Sequence, residues 1–460
     1  MKILKEILEA KEDRTCLRKD FSDQKKSSLS LSLNIPGAVK TNEIISEFFD
    51  IILSELKNYL LSHRIFLDTE SEINIIDSAG NFFLSGLLLK NEQEYSEFFF
   101  QNLKEITEKY EEKEIVGRFI DIDIYDTTGT PVGSGKRKEC FFCKQKPAVV
   151  CMREKNHSYE ELIEFQNLKI KEYIEQVNKE NIIRNINTIC LKSILYEVSL
   201  SPKPGLTDYF SSGSHSDMHY FTFIDSSSII SYFFMQTAKA GYEFSGDLKN
   251  ALPCIRNIGL SSEKYMFQAT NGVNTQKGLI FLLGISAFVC GFLESKKQKF
   301  GIEDFSEYVK KICENIIENE LQSSEKSDNT HGKTCFAQFG ITGAGARYEA
   351  QNGFPTAINF GLKSLIENPS ENTQEQINSK LKRCLVSLIS ENNDSNILYR
   401  KGENILEQLK EKAKETLLSK DFENKYSDLC NFCSQNNISP GGSADLLAVS
   451  IFLYNYFYKK

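Results

Sequence analysis

The spacing of apolar side chains changes character near residue 155 of the 460-residue chain. Before that point the period switches between 3.6 and 2. KILKEILEAKEDRTCL has helical spacing, SLSLNI (Ser30–Ile35) alternates as a strand does, and EIISEFFDIILSELKNYLL returns to helix. INIIDSAGNFFLSGLLL predicts two strands about a turn at Ser78–Asn81, followed by a helix to about Glu112. The clearest strand is GRFIDIDIYD, Gly117–Asp126. Beyond Asn156 the pattern becomes long helical segments separated by loops that carry glycine and proline, with no convincing alternation. HSYEELIEFQNLKIKEYIEQVNKENIIRNI reads as the bridging helix or helices, and Ser323–Lys333 as a mobile loop. The expected architecture is an α+β domain over residues 1–170 followed by an all-α domain over residues 175–460.

The longest apolar run, Gly278–Leu293, is too short and too rich in glycine for a bilayer span and is expected as a buried core helix. Length alone favours two cores over one. A net charge of −8 argues against a broad basic surface for nucleic acid, and points to a small anion held in a local basic pocket. The charged N-terminal segment offers no apolar stretch of the secretory kind, and the twelve cysteines are scattered rather than framework-like. These features suggest reduced thiols in a cytoplasmic protein with no membrane partner.

Two constellations in the first domain carry chemistry. Asp121 and Asp123, two apart on a strand, share one sheet face while Ile120, Ile122 and Ile124 take the other. Paired carboxylates suit Mg²⁺ bridging the phosphates of a nucleotide-like substrate, and equally suit a solvated edge strand. Cys140, Cys143, Cys151 and His157 supply four ligands of the types Zn²⁺ takes, at spacings a compact loop can close; the alternative is a small core of unliganded thiols. Cys430 and Cys433, in a helical pattern, read as packing residues.

LSLNIPGAVK, GRFIDIDIYD and the Cys140–His157 segment, in that order, resemble the family that attaches the prosthetic group to the acyl carrier subunit of citrate lyase. EVSLSPKPGLTDYFSSGSHSDM, ATNGVNTQKGLIFLLG, ARYEAQNGFP, NDSNILYRKG and ISPGGSADLLA resemble, in order, the triphosphoribosyl-dephospho-CoA synthase family. Together they suggest a fusion in which one half makes what the other consumes. The resemblance implies a nucleotidyltransferase-like first domain. It also implies ATP, 3′-dephospho-CoA and the apo acyl carrier subunit as partners.

The implied synthase reaction displaces adenine from C1′ of ATP by the ribose 2′-hydroxyl of dephospho-CoA. Such a step passes through an oxocarbenium-like state and needs a carboxylate, cations for the triphosphate and a hydrogen bond for the departing base. Lys203, stiffened by Pro202 and Pro204, is a candidate for phosphate; Asp208 and Asp217 for base or Mg²⁺ ligand; His215 for contact with adenine. His219 lies outside the motif and reads as structural. Asn274, Thr275 and Lys277 precede the apolar helix, where phosphate is favoured. Arg347 and Glu349 either pair or bind substrate, and Asp394, Asn396 and Arg400 suggest a metal or ribose cluster. Gly441 and Gly442 let backbone approach a ligand, and Asp445 in the next turn either binds substrate or complements the helix dipole.

For the transferase half the implied step is attack by a carrier serine on the phosphate nearest the transferred ribose, expelling pyrophosphate, with Mg²⁺ on Asp121 and Asp123. Asn34, Pro36, Gly37 and Lys40 are expected in a turn that holds triphosphate. Arg118, three before Asp121, is expected on the opposite strand face, and Arg14 is open to a surface role. The family pattern commonly has histidine at Gln276 and at Glu114, and glycine at Tyr348, which puts direct catalytic roles at these three positions in doubt. Two alternatives stay open: the same chemistry serving malonate decarboxylase, and a catalytically impaired module that only binds dephospho-CoA or the carrier.

Overall fold

The computed structural model describes residues 2–89, 96–112, 115–135, 138–322, 331–368 and 373–459. The chain divides into two units, Met1–Asn178 and Lys179–Lys460. In the first, α1 (Lys2–Asp23), β1 (Ser28–Leu33), α2 (Glu43–Ser62), β2 (Leu67–Asp77), β3 (Gly80–Leu87), α3 (Glu97–Glu112), β4 (Ile120–Tyr125) and α4 (Ala148–Glu154) follow in order. The strands form one antiparallel sheet, β2-β3-β1-β4.

Helix α2 forms where Asn42 Oδ1 accepts the Ile45 N–H at 2.9 Å, satisfying a donor that the first turn leaves free. Its buried residues Ile45, Phe48, Phe49, Ile52, Leu56 and Leu60 recur three and four apart, so they share one face. That face packs on Leu29, Leu31, Phe83, Ile120, Ile122 and Ile124. Each such side chain withdrawn from water contributes about 1.5–3 kcal/mol. On the other sheet face α1 lays Leu17 and Phe21 over Phe82 and Leu84. The alternation read in IDIDIY is therefore the observed one. The segment before it departs from expectation: Ile115–Phe119 is a 3-10 turn, and a Cβ on Gly117 would lie 2.2 Å from the Glu111 carbonyl oxygen.

Helix α5 (Tyr159–Ser199) is continuous over 41 residues, and the division between units falls within it. The described part of the second unit is helical. Helices α6 (Tyr220–Glu243), α7 (Leu252–Ala269) and α8 (Lys277–Ser295) lead into shorter helices and a last one at Gly441–Phe457. Helix α8 is long and apolar enough to cross a membrane, yet 78% of its most apolar window is buried inside the unit. A helix apolar on every side is a core helix when protein surrounds it. Its close approach to α6 depends on Gly241 and Gly291, where a Cβ would stand 2.0 Å from Phe288 O and 2.2 Å from Ala238 O. Of the loop expected at Ser323–Lys333, residues 323–330 and likewise Glu114 lie outside the described residues; His331 onward opens a helix to Phe339.

Candidate active sites

In the second unit the polar stretch after α5 folds inward. Residues Lys203 to Asp208 are buried, although Tyr209 and Phe210 are exposed. Asp208 Oδ2 accepts the Lys203 N–H at 2.7 Å, and Oδ1 accepts those of Phe210 at 2.8 Å and Ser211 at 3.0 Å. Both oxygens close the loop itself, and the residue is 3% exposed. Lys203 Nζ donates to Glu197 Oε1 at 2.7 Å and to the Glu197 carbonyl at 3.0 Å, with the two side chains 3% and 6% exposed. The ammonium is therefore committed to a carboxylate of α5 and not left open for phosphate.

The loop docks on the segment that opens helix Gly441–Phe457. Gly205, at φ +63°, leaves no room for a side chain, since a Cβ would stand 1.8 Å from Ile438 O. Ser214 Oγ donates to that same carbonyl at 2.8 Å, and His215 Nε2 lies 2.8 Å from Ser439 Oγ. Burial, then the charge of Arg400, pushes the His215 pKa down, so the ring is held neutral; Asp217, exposed and 3.9 Å away, pulls it up more weakly.

Asp394 is 1% exposed. Its Oδ1 accepts the Asn396 N–H at 3.0 Å, capping helix Ser395–Lys401, while Oδ2 accepts the Ser443 N–H at 2.9 Å and hydroxyl at 3.2 Å. One carboxylate thus joins two helix N-termini. Gly442 and Gly441 sit close to this cluster: Cβ atoms there would stand 3.1 Å from Asp394 Oδ2 and 2.9 Å from Asn396 Nδ2. Asp445 lies one turn further on, its Oδ2 against the first turn of α8, where a Cβ on Gly278 would be 2.2 Å away. Burial first, then Glu197 and Asp394, pushes the Asp445 carboxyl well above its usual range. Glu197, paired with Lys203, and Asp394 are thus the charges that act on Asp445 from segments far apart in sequence.

Other expected residues turn elsewhere. Asn274 Oδ1 accepts the Lys277 N–H at 3.3 Å, Thr275 Oγ1 donates to Ser226 Oγ at 2.8 Å, and Gln276 is buried on the Ser226 hydroxyl at 2.5 Å. Lys277 Nζ pairs with Glu263 at 2.8 Å. Arg347 and Glu349 do not pair. Arg347 Nε binds Glu320 at 2.7 Å, which Arg256 also holds at 2.8 Å, whereas Glu349 is buried and accepts the Thr356 N–H at 3.1 Å. Burial raises the Glu349 carboxyl to about 7. Glu349 and Tyr348 line a cleft with Gly345, Thr356, Asn392 and Asn393, which brings the ARYEA and NDSN segments together. The sequence alone assigns Glu197 no role, although it opens the EVSLSPKPG segment, because it lies in a continuous helical pattern.

In the first unit Asp121 and Asp123 face the same side as Ser32 and Ser30, their register partners on β1. Lys138 Nζ reaches Asp121 Oδ1 at 3.2 Å and Glu111 Oε2 at 2.8 Å. Burial and the adjacent Asp121 push the Asp123 carboxyl up, while Lys104, Arg18 and Lys138 draw it back. Arg18 of α1 stands 5.1 Å over the Tyr125 ring on that face; sequence spacing did not reveal it. Arg118 lies on the 3-10 turn, not on the strand, and donates to the Glu139 carbonyl at 2.6 Å. Arg14 is buried, not on the surface: it grips Asp77 at 2.8 and 2.7 Å and the Gly80 carbonyl at 2.7 Å. Asn34 is exposed, and Lys40 donates to the Ile35 carbonyl at 2.5 Å, closing the turn about Pro36 and Gly37. Burial, then Lys11, lowers the Lys40 pKa.

Comparison with known proteins gives these two sites their context. Residues 183–459 match the family model ATP:dephospho-CoA triphosphoribosyl transferase, and residues 2–173 match apo-citrate lyase phosphoribosyl-dephospho-CoA transferase. Protein CitXG of Leuconostoc mesenteroides subsp. cremoris is 29% identical over 92% of this chain and 90% of its own length. Protein CitXG of Haemophilus influenzae is 27% identical over 98% and 96%. A probable 2-(5''-triphosphoribosyl)-3'-dephosphocoenzyme-A synthase of Malonomonas rubra is 35% identical over 58% of this chain and 86% of its own length. The chain belongs to the ATP:dephospho-CoA triphosphoribosyl transferase family, fused behind a domain of the apo-citrate lyase phosphoribosyl-dephospho-CoA transferase family.

Proposed function

We propose that the second unit makes 2′-(5″-triphosphoribosyl)-3′-dephospho-CoA from ATP and 3′-dephospho-CoA, and that the first unit transfers its phosphoribosyl-dephospho-CoA part to a serine of the apo acyl carrier subunit of citrate lyase. The observation that carries the reading is that Glu197, paired with a buried lysine, and Asp394 act on Asp445 from the family's separate segments. In the synthase step the ribose 2′-oxygen bonds to C1′ of ATP as the C1′–N9 bond breaks. Asp445 takes the hydroxyl proton, and the departing adenine takes up one proton from solvent, so that no net proton is released once Asp445 returns its own. A carboxyl raised by burial is a stronger base than a solvated one, and its charge also stabilises the oxocarbenium-like state. Asp394 holds the two helix starts that shape the site, and neutral His215 offers the departing base a hydrogen bond.

In the transfer step the carrier serine oxygen bonds to the phosphate nearest the ribose, the bond to the next phosphate breaks, and pyrophosphate leaves. We read the sheet with its paired aspartates as nucleotidyltransferase-like. Asp121 and Asp123 fit a divalent cation, because they share one sheet face and burial, then the adjacent Asp121 charge, raises the Asp123 carboxyl. Mg²⁺ held there would supply neutralisation of the triphosphate charge. The substrates are those of the cytoplasm, and the first unit's family favours citrate lyase over malonate decarboxylase. Chromatographic detection of adenine from ATP plus dephospho-CoA tests the synthase reading. Asp445→Asn is expected to lower the rate by at least about 100-fold with Tm nearly unchanged; an unaltered rate would remove Asp445 from the chemistry.

A further inference from the structure

From the Cys140–His157 loop we infer a closed, structural zinc site of three thiolates and one imidazole in the first unit, independent of the catalytic reading above. The ligand atoms of Cys140, Cys143, Cys151 and His157 all lie within 4.8 Å of one another, and Cys143 Sγ is 3.6 Å from Cys151 Sγ. Tetrahedral Zn²⁺ with roughly 2.3 Å bonds to sulfur sets its thiolates roughly 3.8 Å apart. The His157 ring carries a buried Nε2 with no hydrogen-bond partner, an arrangement that costs free energy unless a ligand relieves it. Phe142 lies against that ring at 4.8 Å and gives the cluster an apolar wall.

The backbone is shaped for such a knuckle. Lys144 takes φ +54° and returns its N–H to the Cys140 carbonyl at 3.0 Å, while the Cys140 N–H reaches the Lys146 carbonyl at 2.9 Å. Cys151 follows on α4, and the Asn156 N–H closes back on its carbonyl at 3.1 Å. The knuckle has a consequence for the acidic face. The Ala148 N–H binds the Lys138 carbonyl at 2.9 Å, and Lys138 carries its ammonium to Asp121 and Glu111. Metal in the knuckle would thus hold the strap from which Lys138 reaches Asp121 and Glu111.

The test uses the full chain, produced with added zinc salt and purified under reducing conditions without chelator. Elemental analysis is expected to find about one zinc per chain, lost in Cys140→Ser with Cys151→Ser and kept in Cys16→Ser, whose cysteine is exposed and outside the knuckle. Because the serine pair can fail by unfolding, His157→Cys is the second variant. It keeps the metal and, with Co²⁺ in place of zinc, strengthens the thiolate-to-metal charge-transfer band. Stripping the metal should speed amide exchange at Cys140 and Ala148. Zinc-free wild-type protein, unchanged zinc in the serine pair, a Cys143–Cys151 disulfide in the reduced preparation, or a Co²⁺ spectrum unmoved by His157→Cys would each overturn the site.

Discussion

Glu349 shows what burial does to a single carboxyl. The folded protein keeps its proton up to about pH 7, whereas the unfolded chain releases it near 4.5. Between those values the folded state binds more protons, so this group's contribution to stability falls as pH rises and is lowest above about 7. Glu349→Gln removes the dependence. Denaturant unfolding of both proteins across that window should show the variant gaining on the parent by up to about 3 kcal/mol as pH rises; a constant difference would mean that Glu349 ionises normally. Asp208 carries the opposite lesson. Residue type and neighbours marked it as catalytic, yet nothing in SPKPGLTDYF announces that three N–H groups of its own loop converge on it. A carboxylate that organises a loop and one that takes a proton have the same sequence signature, and only burial with partners separates them.

At the scale of elements, the helices and strands of the first unit were legible because each buries one face. The alternation of IDIDIY and the three-and-four spacing of α2 are direct imprints of the core between them. What the pattern could not convey was tertiary pairing. In the sequence Arg14 is open to a surface role on a charged helix; it crosses to the turn between β2 and β3 and stacks 4.6 Å over Phe82. It is the tie between α1 and the sheet. Arg14→Met should destabilise the first unit by about 3 kcal/mol, because Asp77 loses its partner and the Gly80 carbonyl its donor. Hydrogen exchange resolved by segment checks this: α1, β2 and β3 should lose protection while the helices after Lys179 keep theirs, and a uniform change would contradict the tie. The 3-10 turn at Ile115–Phe119 was likewise hidden, since GRF reads as the start of the strand until Gly117 is seen pressed on the Glu111 backbone.

At the scale of the whole molecule, two proposed chemistries fall to two units, and the division between them lies within helix α5. The order of motifs carried that conclusion further than any single residue did, because the site of the second unit is assembled from segments near residues 197, 394 and 445 that no local pattern connects. The most direct measurement separates the reactions in two variants. Adenine release and attachment of the prosthetic group to the apo carrier are followed in Asp445→Asn and in Asp121→Asn with Asp123→Asn. The expected result is a crossed loss: Asp445→Asn fails to release adenine but modifies the carrier when given ready-made triphosphoribosyl-dephospho-CoA, and the double variant releases adenine at the parent rate but attaches nothing. Loss of both activities in each variant, with both proteins folded, would contradict two separate sites.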